Sequence, residues 1–176
     1  MSTKRLVLGG GCFWCIEAVY SDTKGVLSAI SGYTGGLRPN PSYQNICTGA
    51  TGHAEIVDIS YDSEVITLQE LLDIFFVIHD PTTLNAQGAD KGTQYRSVIY
   101  YQDEDEKKAV LDVIQVQQAT FSEKIVTEVS ELGDVFEAED YHQNYYKLHS
   151  GEGYCQVVIA PKIQKFMTQF PDKLEE

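Results

Sequence analysis

The chain has 176 residues, with 13 Lys plus Arg against 26 Asp plus Glu and a net charge of −13. That charge argues against a nucleic-acid binder, since "EKK" and "PKIQK" are short basic runs beside acids and no basic patch offsets phosphate repulsion. No apolar run reaches membrane-spanning length and "MSTKRLVLGGG" lacks a secretory core and cleavage signal, so the expectation is one soluble domain over 1–176, its core at about 5–170 before a short polar tail, in the cytoplasm.

In chain order, "KRLVL" (4–8) reads as a short strand ending in glycine, and 13–22 as a helix with Cys12 at its first turn. Residues 26–36 read as a strand breaking into a glycine turn, and "LRPNPSYQNICTG" (37–49) as an ordered loop. "HAEIVDISYD" (53–62) alternates, with Glu55, Val57, Ile59 and Tyr61 on one face of a strand and Asp58 and Ser60 on the other. In "TLQELLDIFFVIHDP", Thr67 and Glu70 fit a capping box, apolar residues recur at helical spacing, and Pro81 stops the helix. A polar loop (82–96) leads to the strand "SVIYY", then a helix over 103–121 whose first turn is acidic. "KIVTEVSEL" reads as a strand, "AEDYHQNYYKL" as helical, "CQVVIA" as a buried strand, and "PKIQKFMTQF" as a closing helix opened by proline. The order specifies an α+β sheet with helices on one face, with no internal repeat.

Four cysteines, Cys12, Cys15, Cys47 and Cys155, are too scattered for a disulfide scaffold. The segment "LGGGCFWCIEAVY" (8–20) has three readings. A structural zinc site needs a second ligand pair, which Cys47 and Cys155, standing alone, do not form. A redox pair needs only Cys12 at a helix N-terminus, where orphan N–H groups give it thiolate character, and Cys15 three residues on along the same face. Two small core residues after a glycine turn are the third. Phe13 and Trp14 beside the nucleophile would form an apolar cup for an S-methyl group, or pack into the core.

Glu55 points toward the apolar face, where its pKa would rise and it could donate a proton; otherwise it is an edge glutamate reaching solvent. Asp90, between two glycines, reads as a turn aspartate. Tyr43 and Tyr95 carry hydroxyls able to donate to a substrate oxygen. His53, His79 and His142 fit local structural hydrogen bonds better than catalysis, and Asp80 with Thr82 or Thr83 reads as a helix-end turn.

Taken together, "GGCFWCIE", "GYTGG", "NPSYQNICTGATGHAEIV", "IHDPTTLNAQGADKGTQYRSVIYY", "AEDYHQNYY" and "YCQVVIAPKI" resemble, in order, the peptide methionine sulfoxide reductase A family over residues 5 to 170. The resemblance implies a two-layer α/β sandwich of ferredoxin-like character, with a mixed sheet and helices packed on it. It implies reduction of the S epimer of methionine sulfoxide, free or in peptides and proteins, without cofactor or metal. By the same resemblance Cys12 is the nucleophile and Glu55 the acid. Phe13 and Trp14 hold the substrate methyl, and Tyr43, Asp90 and Tyr95 surround the sulfoxide oxygen.

Many members of the family read GCFWG and carry resolving cysteines near a glycine-rich C-terminal tail. Here the block reads GCFWC and the tail "KIQKFMTQFPDKLEE" has no cysteine, so the resemblance makes Cys15 the resolver of a Cys12 sulfenic acid and thioredoxin the reductant of a Cys12–Cys15 disulfide. A relaxed helix holds i and i+3 Cβ atoms about 5–6 Å apart, so oxidation is expected to strain or partly unwind the first turn. Cys155 is the rival resolver and Cys47 a spectator. A general thiol–disulfide oxidoreductase and a non-catalytic binder of oxidised methionine are the competing functions. Nothing requires an oligomer, and a monomer without nucleic-acid or membrane partners is expected.

Overall fold

The computed structural model describes residues 3–36, 42–48, 51–87, 90–149, 151–153 and 155–173, apart from the side chains of Cys47 and Cys155. Six strands form the main sheet: β1 (Thr3–Gly9), β2 (Val26–Thr34), β3 (Ala54–Asp62), β6 (Val98–Tyr101), β7 (Glu128–Glu131) and β8 (Phe136–Glu137). Their spatial order is β7-β6-β1-β3-β2-β8, and every pairing is antiparallel except β6 with β7, so the sheet is mixed. A small hairpin of β4 (Ala86–Gln87) and β5 (Asp90–Lys91) stands apart from it.

Alternation decides which side chains enter the core. Leu6 and Leu8 of β1, Val57, Ile59 and Tyr61 of β3, and Ile99 of β6 share one apolar cluster. Buried residues of α1 (Phe13–Ser21), α3 (Leu68–Ile78), α4 (Glu104–Gln118) and α6 (Ala160–Gln169) join that same cluster. Val7, Ala54, Ile56, Val98 and Tyr100 form a second, smaller cluster with Leu132 and Val135 packed against it. This is the expected α+β architecture of a mixed sheet with helices packed on it.

Local signals set the helix ends. The Thr67 hydroxyl accepts from Glu70 N–H and the Glu70 carboxylate accepts from Thr67 N–H, each at 3.1 Å, which closes the expected capping box of α3. Asp103 caps α4 by accepting from Glu106 N–H at 2.8 Å, ahead of three acids in its first turn. The Asp80 carboxylate accepts from the Thr82 amide at 2.9 Å, making the expected turn after α3.

Three expectations are corrected. Within 37–49, residues Tyr43–Cys47 form a short helix, α2, capped by Ser42 and Asn45; residues 37–41 and 49 lie outside the described residues. The stretch 138–148 is not one helix: a 3-10 turn (Asp140–His142) and α5 (Tyr145–His149) are separated by Asn144 at φ 56. The break arises because the Gln143 side chain bonds both backbone groups of Ser31 and the carbonyl of Ala138. "CQVVIA" is a π-helical turn (Cys155–Ile159) running into α6, not a strand. An apolar run without alternation does not separate the two, and among its described side chains only Ile159 is fully buried. The loop 82–96 also contains the β4–β5 hairpin and a 3-10 turn (Thr93–Tyr95).

Gly9 closes β1 where a side chain cannot fit, because a Cβ there would collide with the backbone carbonyl of Glu55 on β3. Gly9→Ala should therefore force β1 from β3 and lower stability by about 1–3 kcal/mol. Urea unfolding of the two proteins measures this, and an unchanged midpoint would mean that the strands separate freely here.

Candidate active site

The turn between β1 and α1 places Cys12 at the helix N-cap, in extended conformation (φ −67, ψ 130). Gly11 reaches φ +88 in this turn, and a Cβ there would press into Gln87. Its amide donates to the Tyr95 carbonyl at 3.1 Å, tying the 3-10 turn of Thr93–Tyr95 to the cysteine loop. Arg96 braces that turn by donating to the carbonyls of Thr93 (2.8 Å) and Gly52 (3.0 Å).

Glu55 lies on β3 with its side chain on the Val57 and Ile59 face, as its alternation requires, and it is only 1% exposed. Its Oε1 accepts from the Phe13 amide at 3.1 Å, one of the orphan donors of α1. Its Oε2 is buried without a hydrogen-bond partner among the described residues. Burial raises the Glu55 pKa to about 8; the Phe13 amide opposes this, and Asp90 and Cys15 add to it. Glu55 is thus predominantly protonated at neutral pH.

Cys12 and Cys15 are both free thiols, Cys12 7% exposed and Cys15 1%. The thiolate character expected for Cys12 is corrected. Burial pushes its thiol well above the ordinary value, Cys15 and Glu55 push the same way, and the Trp14 amide alone pulls it down. At rest the proton stays on sulfur because the helix end sits inside the core and the Phe13 amide is committed to Glu55.

The aromatic pair divides. Phe13 is 1% exposed and packs with Tyr33 and His142, ring centroids 5.5 and 5.1 Å away. Trp14 is half-buried, donates its indole N–H to His142 Nδ1 at 3.0 Å and stacks on Tyr145 at 3.7 Å and 6°. Tyr43, at the start of α2, brings its ring 4.5 Å from His142. His142, set aside in the sequence as structural, is therefore the hub on which Phe13, Trp14 and Tyr43 converge, and burial lowers its pKa. His79 and His53 are structural: His79 bonds Ser97 at 2.8 Å with burial lowering its pKa to about 3, and His53 accepts from Gly36 N–H at 3.0 Å.

Glu139 and Tyr33 escaped sequence reasoning. The Glu139 carboxylate accepts from the Tyr33 hydroxyl at 3.0 Å and the Tyr43 amide at 2.9 Å, joining β2, α2 and the segment after β8. Burial alone would raise its pKa, but these donors, with those nearby, bring it below the usual value. The sequence signals are the blocks "AEDYHQNYY" for Glu139 and "GYTGG" for Tyr33, neither of which marks these two residues individually. The described residues contain no cluster of three His, Cys, Asp or Glu able to hold a metal ion and no helix long and apolar enough to cross a membrane.

A buried thiol pair beside a protonated carboxyl and aromatic side chains is an arrangement that cysteine-based redox chemistry can use. The sequence profile of the family "Peptide methionine sulfoxide reductase" matches residues 4–174, and the chain belongs to that family. It is 54% identical over 169 residues to the peptide methionine sulfoxide reductase MsrA of Polynucleobacter asymbioticus, covering 95% of this chain and 89% of the relative. Among solved structures it resembles reduced Mxr1 from Saccharomyces cerevisiae, with a TM-score of 0.81 and 35% identity over 87% of this chain and 89% of that one. It also resembles Mxr1 in complex with Trx2, with a TM-score of 0.57 and 26% identity over 81% and 84% of the two chains.

The raised Glu55 pKa makes a stability prediction. An unfolded glutamate ionises near 4.5, so between pH 4.5 and about 8 the native state is progressively penalised, and above pH 8 the penalty is constant. Glu55→Gln should exceed the parent in stability by ~2–4 kcal/mol at pH 8 relative to their difference at pH 4. Urea unfolding at the two pH values tests it; a pH-independent difference would place the native carboxyl in its ordinary range.

Proposed function

We propose that this protein reduces the S epimer of methionine sulfoxide, in proteins, peptides or free, through Cys12, with thioredoxin as the final reductant. The observation that carries the reading is the buried Glu55 carboxyl, held by the first amide of α1 next to Cys12. A sulfoxide sulfur is a weak electrophile until its oxygen is protonated, and a carboxylic acid neutral at pH 7 is suited to that.

In this reading Cys12 Sγ attacks the sulfoxide sulfur while Glu55 gives its proton to the oxygen, with the Tyr43 and Tyr95 hydroxyls donating to it and Asp90 ordering that network. The substrate S–O bond breaks, the oxygen passes to Cys12 Sγ as a sulfenic acid, and methionine leaves two electrons richer. The Cys12 thiol proton ends on Glu55 and restores it. Cys15 Sγ then attacks Cys12 Sγ, its proton leaves with the hydroxyl as water, and a Cys12–Cys15 disulfide results. A thioredoxin dithiol reduces that bond by exchange. Phe13 and Trp14 provide the apolar wall for the methyl group, and the half-buried Trp14 leaves the peptide on either side of the methionine in solvent. No cofactor enters. The reading places the enzyme in the cytoplasm, where thioredoxin keeps such thiols reduced.

Pre-reduced protein given excess S-methionine sulfoxide without thioredoxin should form about one methionine per chain and a Cys12–Cys15 disulfide by peptide mass mapping. Cys15→Ser should still form that first methionine but fail to turn over with thioredoxin, and Cys12→Ser should form none. A Cys12–Cys155 bond would retain the reaction and replace the resolver; four untouched thiols in folded protein would sink the reading.

The acid must be protonated, so kcat/KM should fall as pH rises through about 8, approaching tenfold per unit above it. Glu55→Gln should lower kcat by a factor of roughly 100 or more and abolish that limb of the profile. A parent profile flat to pH 10 would remove Glu55 as the acid.

A further inference from the structure

We propose that Glu17 is a positioning residue for the substrate pocket: its carboxylate holds the backbone at Asn144 and thereby keeps Tyr145 stacked on Trp14 as the pocket's outer wall. The proposal rests on the sulfoxide reading above and assigns a residue that the reaction itself does not use.

Glu17 is one turn beyond Phe13 on α1 and 2% exposed. A glutamate is seldom buried so fully without a partner, and exchange for an apolar residue is often neutral or stabilising. Its Oε2 accepts from the Asn144 amide at 2.8 Å, while Oε1 is buried without a hydrogen-bond partner among the described residues. The Ser31 hydroxyl of β2 and the Tyr145 amide are near the same carboxyl but outside hydrogen-bond geometry with it, and they and Lys147 of α5 favour its charged form. Asp22, at the end of α1, lines the 170 Å³ cavity beside it together with Asn144, Tyr146 and Lys147.

What this carboxylate holds is otherwise poorly held. No residue of α5 is fully buried, so little apolar burial pins that helix. Asn144 sits at φ 56, the left-handed region, which needs support from its surroundings. Gln143 is bonded to Ser31 and Ala138, which fixes the near side of the turn, and Glu17 fixes the far side. Trp14 is clasped by residues from the two sides: His142 takes its indole N–H at 3.0 Å, and Tyr145 covers its face at 3.7 Å.

Substitutions at Glu17 and Tyr145, read through the protein's single tryptophan, test this. Glu17→Leu should raise KM for methionine sulfoxide about tenfold, the equivalent of one charge-assisted hydrogen bond, with kcat within about twofold. Its Trp14 emission should change as Tyr145 leaves the stack. Glu17→Gln keeps only a neutral acceptor for Asn144 and should restore part of both properties, the part that protonated Glu17 also keeps. In a Tyr145→Ala background, Glu17→Leu should add nothing further to KM or emission, because both changes remove the same wall.

Should Glu17→Leu not fold, the pH profile of Trp14 emission decides. Burial brings the Glu17 pKa to about 7, so the parent should show a transition there that Glu17→Gln lacks, distinct from His142, which burial lowers, and from Glu55 at about 8. Unchanged KM and emission in Glu17→Leu, additive effects with Tyr145→Ala, or identical pH profiles in parent and Glu17→Gln would each overturn the proposal. If the parent fails to reduce methionine sulfoxide, the functional reading falls while the emission measurements still judge Glu17.

Discussion

The bond from the Phe13 amide to the Glu55 carboxyl is the constraint on which the rest of the site depends. It joins the start of α1 to the inner face of β3, so the Cys12 loop and the Glu55 carboxyl cannot move independently. The amides at the start of a helix are unpaired within it and favour negative charge nearby. Two groups compete for that field here, the Cys12 thiol and the Glu55 carboxyl. In a buried space two adjacent anions would repel strongly, so at rest both groups keep their protons. In the proposed reaction this has a consequence: the thiol becomes a strong nucleophile only as the sulfoxide oxygen takes up the Glu55 proton. A neutral resting thiol is also a slow target for other oxidants.

Backbone geometry supports that arrangement from below. Leu8 pairs with Val57 and Gly9 follows, bringing the end of β1 against the Glu55 carbonyl. The chain then turns through Gly11, whose amide is held by the Tyr95 carbonyl, before α1 begins. Three separate stretches, the cysteine loop, β3 and the 3-10 turn of Thr93–Tyr95, are thus fixed by backbone contacts before any side chain is considered. This explains why Asp90 and Tyr95, some forty residues from Glu55 in sequence, belong to the same neighbourhood.

Patterns of short range were legible in the sequence. Alternation in β3 turned Glu55 inward, the Thr67–Glu70 pair marked the start of α3, and Asp80 with Thr82 marked its end. Properties that arise from distant neighbours were not. The protonation of Cys12 depends on how deeply the helix start is buried and on which group captures the Phe13 amide, neither of which is written locally. The break at Asn144 depends on Ser31 and Glu17, more than a hundred residues away. The π-turn at Cys155–Ile159 was misread because an apolar run carries no period to distinguish strand from helix.

Three glutamates around the site show how one side chain acquires three different charges. Glu139 is half-buried and accepts from the Tyr33 and Tyr141 hydroxyls and the Tyr43 amide, so its anion is favoured. Glu55 is sealed in the core with one amide donor and two acidic neighbours, so its acid form is favoured. Glu17 is nearly as buried, yet Asn144, Tyr145, Ser31 and Lys147 all favour its anion, and its pKa falls between the others at about 7. The balance of burial against the number of donors accounts for all three. It also matches their positions: an ionised clamp joining Tyr33 to α2, a protonated acid beside the cysteines, and a carboxyl near neutrality under the aromatic wall. Moving one donor between them would shift charge from one carboxyl to another without altering a cysteine or an aromatic residue around them.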